Sequence, residues 1–120
     1  MLPEGKDAAF LWDMLEAAKG IVEMTRGLRY ADYLADRKSQ LAVEREVEIV
    51  GEAARRVSET FKAAHGSIAW KKIIAQRHVL AHEYGEIKQD RMWAVVTVHI
   101  PELISQLMPL VPQPPSIPGE

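Results

Sequence analysis

The chain has 120 residues, of which 48% are hydrophobic and 27% charged, so it can bury the core of one domain. It has no cysteine, which excludes disulfide frameworks and thiolate metal sites, and no apolar run approaches the ~20 residues of a membrane span. The formal net charge of -2 argues against a protein that coats nucleic acid without specificity. The N-terminus does not resemble a signal peptide, so we expect a cytoplasmic domain without membrane contact.

Most of the chain has the pattern of long helices, since residues 4–100 contain no proline. Asp7 is a candidate N-cap for a first helix, whose apolar stripe covers residues 10–22 at spacings of three and four. Gly27 is expected to end this helix, and a short helical turn is expected over residues 30–37.

Ser39 is a candidate N-cap for a second helix of roughly twenty residues, whose apolar stripe extends to Phe61. Ser67 is a candidate cap for a third helix that reaches about Tyr84, and Gly85 stands where a left-handed C-cap belongs.

Asp90 is a candidate cap for a fourth helix, which Pro101 should kink because it removes a backbone donor. The β-branched run over residues 94–100 could form a strand, but it has no partner segment, so we predict helix. Five of the seven prolines fall after residue 108. The sequence therefore predicts a helical domain over residues 1–108 and a flexible, proline-rich tail over residues 109–120.

The charge is unevenly distributed along the chain. No acidic residue occurs between Glu59 and Glu83, and residues 62–91 hold six Lys and Arg against three Asp and Glu, a net +3. The remaining residues carry -5. A solvated helix face and a phosphate-binding surface explain this segment equally well. In the second case, Lys71 and Lys72 would bind substrate.

The densest polar cluster lies inside this segment, over residues 76–84. His78 and His82 are spaced by four residues on a helix and could grip a metal, but no cysteine and no helix-matched carboxylate supplies a third ligand, so we expect no metal. Arg77 and His82 are five apart, roughly 140° around a helix, and would flank a groove. In such a groove, the Arg77 guanidinium could bind a phosphate and the His82 imidazole could transfer a proton. His82 could equally cap the helix, with the Tyr84 ring buried.

Arg77, His82 and Tyr84 form the pattern Arg-x4-His-x-Tyr, and through it the sequence resembles the HEPN superfamily (higher eukaryote and prokaryote nucleotide-binding), specifically the HepT-type toxins. Three further features match in order along the chain, namely Met14-Leu15-Glu16-Ala17-Ala18, Gly51-Glu52-Ala53, and Trp70 seven residues before the arginine. His78 departs from the pattern, since the family more often has Asn there. The resemblance extends from Asp7 to about Met108.

The resemblance implies an all-α fold, an antiparallel four-to-five-helix up-and-down bundle that forms a homodimer and brings two motifs to one cleft. It also implies a metal-independent endoribonuclease that needs no cofactor. Arg77 and His82 would be catalytic, and His78 would bind or orient the RNA substrate. The family's partner is a minimal nucleotidyltransferase antitoxin, which silences the toxin by adding AMP to the motif tyrosine, here Tyr84.

Two alternatives remain open at this point. The chain could be a non-catalytic helical subunit that binds nucleotide or pairs with a nucleotidyltransferase. It could also be a dimeric bundle without any site, although the polar cluster makes this the weakest of the three hypotheses. If Tyr84 is not the AMP acceptor, Tyr30 and Tyr33 become the candidates.

Overall fold

The computed structural model describes residues 5–82 and 88–111, with the side chains of residues 5–76 and 88–111. These residues form helices and turns and include no strand, which confirms the all-α class. The α-helices are α1 (Gly5–Thr25), α2 (Tyr30–Leu34), α3 (Arg37–Arg56), α4 (Glu59–Ala64), α5 (Trp70–His82), α6 (Gln89–Ala94) and α7 (Ile100–Leu107). A π-helical turn, Val95–His99, joins α6 to α7.

The core forms around the pair α1 and α3, whose apolar residues recur at spacings of three and four and so line one face of each helix. Helix α5 packs against α3, and α7 packs against α1. The buried positions that define the two stripes are Leu11, Met14, Leu15, Ala18 and Ile21 on α1, and Val43, Val47, Val50 and Ala54 on α3.

The buried side chains divide into two clusters along this helix pair. One contains Phe61 and Trp70 and holds α4 and the start of α5 against α1 and α3. The other contains Tyr33, Met92 and Val96 and holds α2, α6 and the π-helical turn. The helices on either side of residues 83–87 are therefore anchored in different parts of the core.

Three predicted helix starts differ from those in the structure. Asp7 lies inside the first turn of α1, and its carboxylate accepts hydrogen bonds from the Ser58 N–H (2.8 Å) and hydroxyl (2.7 Å). Asp36, not Ser39, caps α3, accepting from the Ser39 N–H at 3.4 Å. Asp90 is in the first turn of α6, which Lys88 precedes without a side-chain cap.

The predicted second helix is two helices in the structure. Helix α3 has the expected twenty residues but ends at Arg56, since Val57 takes an extended conformation. The Ser58 hydroxyl then accepts a hydrogen bond from the Phe61 N–H at 3.2 Å and caps α4. The third helix begins at Trp70 rather than directly after Ser67, and the predicted C-cap at Gly85 lies outside the described residues.

The fourth predicted helix is interrupted just before Pro101. In the π-helical turn the Ile100 N–H donates to the Val95 carbonyl, one residue further back than in an α-helix. The β-branched run is thus helical, as predicted, and the expected disturbance at the proline takes the form of this wider turn. Leu110 packs against the core and Val111 is buried, so ordered packing continues past residue 108. The division at residue 108 stays a prediction, and residues 112–120 lie outside the described part.

Candidate functional site

Two of the three residues of the predicted motif, Arg77 and His82, lie on helix α5. Arg77, His78 and His82 belong to this helix, so the spacing argument made for a helix applies to their backbone positions. Their side chains are outside the described part of the structure, and so is Tyr84 entirely. The catalytic, substrate-binding and AMP-accepting roles of these four residues therefore stay predictions.

The start of α5 is firmly anchored. Trp70, the first residue of the helix, is buried, and its indole N–H donates to the His65 carbonyl at 3.0 Å. The indole meets the Phe61 ring edge-on at a centroid distance of 6.5 Å. This explains in physical terms why a tryptophan stands seven residues before the arginine, because it fixes the helix that carries the motif.

Helix α5 faces the core through a stripe that position 77 continues. Ile73 and Ile74 are partly buried against the core cluster that contains Trp70. Position 77 follows them by four and three residues, which places it on the same stripe of the helix. An arginine cation is stable on such a stripe only where water, a carboxylate or a phosphate meets it.

A groove of about 540 Å³ lies between α5 and the π-helical turn and α7. Lys72 lines this groove, whereas Lys71, one residue earlier and 100° around the helix, does not. Both lysines are exposed. Both lysines were predicted to bind substrate, but only Lys72 lines this groove.

Across the groove, Arg91 and His99 contribute to its rim. Sequence reasoning counted Arg91 in the cationic segment but did not associate it with Lys72, and it missed His99. The available signal for His99 was weak, since it stands in an apolar run that otherwise resembles core. The connection between these residues depends on how α6 and α7 pack beside α5.

The cations differ in their ionic partners. Seven arginine side chains fall in the described part, and six of them lie within 4.0 Å of a carboxylate. Arg91 is the exception among these seven, and neither Lys71 nor Lys72 forms an ion pair with a described residue. Among the described residues, no ion pair therefore neutralises the cations around the groove.

A hydrogen-bonded chain fixes the start of α6, on the far side of residues 83–87. The buried Tyr33 hydroxyl donates to the Gln89 side-chain carbonyl at 2.7 Å, and the Gln89 amide donates to Glu44 at 2.9 Å. Burial, with the nearby Glu44 carboxylate, raises the pKa of Tyr33 to about 12. This network ties α6 to α2 and α3 and leaves Tyr33 unavailable for modification in the folded protein.

The remaining features that carried the family resemblance have structural roles. In the first, over residues 14–18, every residue except Glu16 is buried in the core. In the second, Gly51 and Ala53 are buried, and Glu52 accepts hydrogen bonds from Arg55 and Arg56 at 2.7–3.2 Å. These motifs stabilise the helix pair on which α5 rests.

Two further findings concern the classes of site considered from the sequence. The described residues contain no group of three or more His, Cys, Asp or Glu arranged to hold a metal ion. None of the helices in this part of the chain combines the length and the apolarity that crossing a bilayer requires.

Known proteins resemble this chain over most of its length. Residues 14–110 match the family model described as ribonuclease HepT-like. A predicted RNase of Methanocaldococcus jannaschii is 32% identical over 95 residues, which cover 79% of this chain and 87% of the relative. A second predicted RNase of that organism is 31% identical over 110 residues, 92% and 91% of the two chains. A predicted ribonuclease HepT of Thermococcus cleftensis is 37% identical over 94 residues, which cover 78% of this chain and 86% of the relative. No solved structure gives a significant match.

Proposed function

Because the chain belongs to the HepT-like ribonuclease family, we propose that it is an endoribonuclease that cleaves RNA without a metal ion. We propose further that it is the toxin of a cytoplasmic toxin–antitoxin pair. The observation that carries the proposal is the placement of Arg77 and His82 on one continuous helix, α5, within the matched residues.

The reaction needs one group that moves a proton and one that stabilises charge. The RNA 2′-oxygen bonds to the adjacent phosphorus while the bond from phosphorus to the 5′-oxygen breaks, which leaves a 2′,3′-cyclic phosphate and a 5′-hydroxyl. His82 assists the proton transfer, and Arg77 stabilises the negative charge that develops on the phosphate. His78 hydrogen-bonds or orients the RNA, while Lys71 and Lys72 attract its phosphates.

The proposed active form is a homodimer in which two copies of the motif share a cleft. Two observations support it. Position 77 lies on the stripe by which α5 meets the core, where an arginine needs a polar surrounding. The net +3 of residues 62–91 would also be doubled around one cleft, while the acidic remainder limits non-specific binding.

The proposed partner is a minimal nucleotidyltransferase antitoxin. It adds AMP to Tyr84, two residues after the catalytic histidine, and the bound nucleotide blocks the cleft and brings negative charge into it. The chain has three tyrosines, and Tyr33 is buried with its hydroxyl bonded to Gln89. Tyr30, which is 38% exposed, is therefore the matched control for Tyr84.

The catalytic roles are tested with Arg77→Ala and His82→Ala in the full-length chain. Each should lower the rate of cleavage of a fluorescent single-stranded RNA by about 100-fold or more, because a proton-transfer group or a charge-stabilising group is lost. Cleavage by the unchanged protein should persist in EDTA. Arg26→Ala removes an exposed arginine whose ionic partner is Glu23, three residues earlier, and should change the rate less than about twofold.

Undiminished cleavage by the His82→Ala variant, with a circular dichroism spectrum like that of the parent, would contradict the catalytic assignment. If the unchanged chain does not cleave RNA at all but still forms a complex with a nucleotidyltransferase, the non-catalytic subunit becomes the better description.

The modification is tested by intact mass after co-expression with the nucleotidyltransferase. The mass should rise by one or more AMP units, and Tyr84→Phe should abolish the rise because the acceptor oxygen is missing. Tyr30→Phe should leave it unchanged. An increase that survives Tyr84→Phe but disappears in Tyr30→Phe would assign the modification to the other exposed tyrosine.

A further inference from the structure

The groove beside α5 lies next to the positions of the predicted catalytic motif but nearer the start of the helix. At 100° per residue, position 77 lies about 40° around α5 from Ile73 and position 82 about 20° from Ala75, and both Ile73 and Ala75 line the groove. The motif positions and the groove thus share one side of the helix. Four to seven residues separate them, about 6–10 Å along the helix axis, which is a distance that one or two nucleotides of an RNA strand can span.

The groove combines an apolar floor with a polar rim. Valines and isoleucines of α3, α5 and α7 form the floor, among them Val47, Ile73 and Ile100. The rim carries Lys72 on one side and Arg91 on the other. This combination suits a ligand that has a flat, weakly polar body and a negative charge.

The charged residues and the volume of the groove limit which ligands it can bind. Glu102 is the one carboxylate among the lining residues, against the cations of Lys72 and Arg91. Neither cation forms an ion pair with a described residue, although the other six described arginines do. A volume of about 540 Å³ lies in the range of small-molecule sites and accommodates a single nucleotide.

Hydrogen-bonding groups are also in place for a base edge. His99 is exposed at the end of the π-helical turn and lines the groove, as does the half-buried Gln76. Gln106 donates its amide N–H to the Ser67 carbonyl at 3.0 Å, which holds its side chain at the groove. Its carbonyl oxygen remains available as an acceptor.

We propose that this groove binds one nucleotide of single-stranded RNA outside the scissile step, with the base on the apolar floor and the phosphate between Lys72 and Arg91. This subsite deepens the proposed ribonuclease function and rests on it for the identity of the ligand. It assigns Arg91 and His99, which the motif does not include, to substrate binding.

The electrostatic part is tested with the double variant Lys72→Glu/Arg91→Glu. The His82→Ala chain serves as background, so that the probe, a fluorescein-labelled RNA decamer, stays intact during anisotropy titrations. The dissociation constant should rise by about tenfold or more at low salt, because two phosphate-binding cations become anions. The control Lys6→Glu/Lys19→Glu makes the same change in net charge at exposed positions of α1 and should alter it less than about threefold.

The steric part is tested with Ala75→Leu/Ala94→Leu, which fills the groove from two exposed helical positions that line it. Binding of the same decamer should weaken by about fivefold or more, because the leucine side chains occupy the space that the base needs. Ala9→Leu/Ala64→Leu adds the same side chains at exposed positions away from the groove and should have no effect on binding.

Unchanged RNA affinity in Ala75→Leu/Ala94→Leu would overturn the subsite, and so would an effect of Lys72→Glu/Arg91→Glu no larger than that of its control. Occupation of the groove by a second copy of the chain would appear as a shift in sedimentation of the leucine variant without loss of RNA affinity, and it would also overturn the proposal. The proposed function fails separately, if the unchanged chain does not cleave the decamer, since the binding titrations do not depend on cleavage.

Discussion

The Tyr33 hydroxyl shows how much one buried polar atom can decide in this protein. Tyr33 is fully buried, and its hydroxyl donates a hydrogen bond to Gln89 at the start of α6. The centroids of the Tyr33 and Trp93 rings are 5.0 Å apart. A buried hydroxyl without a partner would destabilise the core, so the Gln89 side chain is required at that place. The start of α6, which follows residues 83–87, is therefore fixed by a contact with Tyr33 of α2.

Tyr33→Phe should lower the free energy of unfolding by about 1 kcal/mol, because the variant loses a buried hydrogen bond and leaves Gln89 without its donor. Urea denaturation at neutral pH measures this change. Tyr30→Phe, which alters an exposed tyrosine, should have a smaller effect. Equal midpoints for both variants would contradict a structural role for the Tyr33 hydroxyl.

The same comparison has a pH dependence with a defined sign. A tyrosine in an unfolded chain has a pKa of about 10, whereas the pKa of Tyr33 in the folded protein is raised to about 12. The folded state thus holds a proton that the unfolded state releases, so this contribution to stability is complete below pH 10 and is lost between pH 10 and pH 12. Tyr33→Phe should show a shallower loss of stability over that interval than the unchanged chain.

Among the helices, α3 illustrates how a cap is chosen by position rather than by residue type. Both Asp36 and Ser39 are good capping residues, and the sequence pattern favoured Ser39. The structure begins the helix earlier, and the Ser39 hydroxyl instead donates to the Asp36 carboxylate at 2.7 Å. Hydrogen bonds from the side chain and backbone of Ser39 hold the pKa of Asp36 below its usual range.

Asp36→Ala should therefore lower the melting temperature by about 4 °C, since α3 loses its N-cap. Ser39→Ala removes only a supporting hydrogen bond and should lower it less. Thermal melts followed by circular dichroism measure both variants. A larger decrease for Ser39→Ala than for Asp36→Ala would show that the cap is at Ser39 after all.

The π-helical turn before Pro101 is a second local feature with wider consequences. Because the proline has no N–H, the helix accommodates it with a wider turn over Val95–His99. This turn places His99 and the half-buried Val95 at the groove beside α5. The groove that we propose as an RNA subsite thus depends on a proline that lies outside it.

Considered as a whole, the protein distributes its charge unevenly over one apolar core. Arg26 and most arginines of α3 are paired with carboxylates three or four residues away along the chain. The cations around α5 and α6 have no such partners among the described residues. The net charge of -2 is therefore a sum of unlike parts, since residues 62–91 carry +3 and the remaining residues carry -5.

The sequence by itself determined the helical class, the approximate positions of the long helices and the residues of the motif. These follow from local periodicity and from short spacings, which a helix converts directly into shared faces. The family resemblance rested on the same local patterns, and the family is confirmed by the match over residues 14–110. The roles of Arg77, His82 and Tyr84, the bundle count and the dimer remain predictions.

Tertiary structure alone decided where helices begin and which distant residues share a surface. Asp7 bonds to Ser58 across 51 positions, and Tyr33 to Gln89 across 56, so no local pattern could have predicted either contact. Lys72 and Arg91 face one groove for the same reason, because the packing of α5 beside α6 and α7 depends on the whole core. Hydrophobic burial fixes that packing, and it is a property of all the helices together.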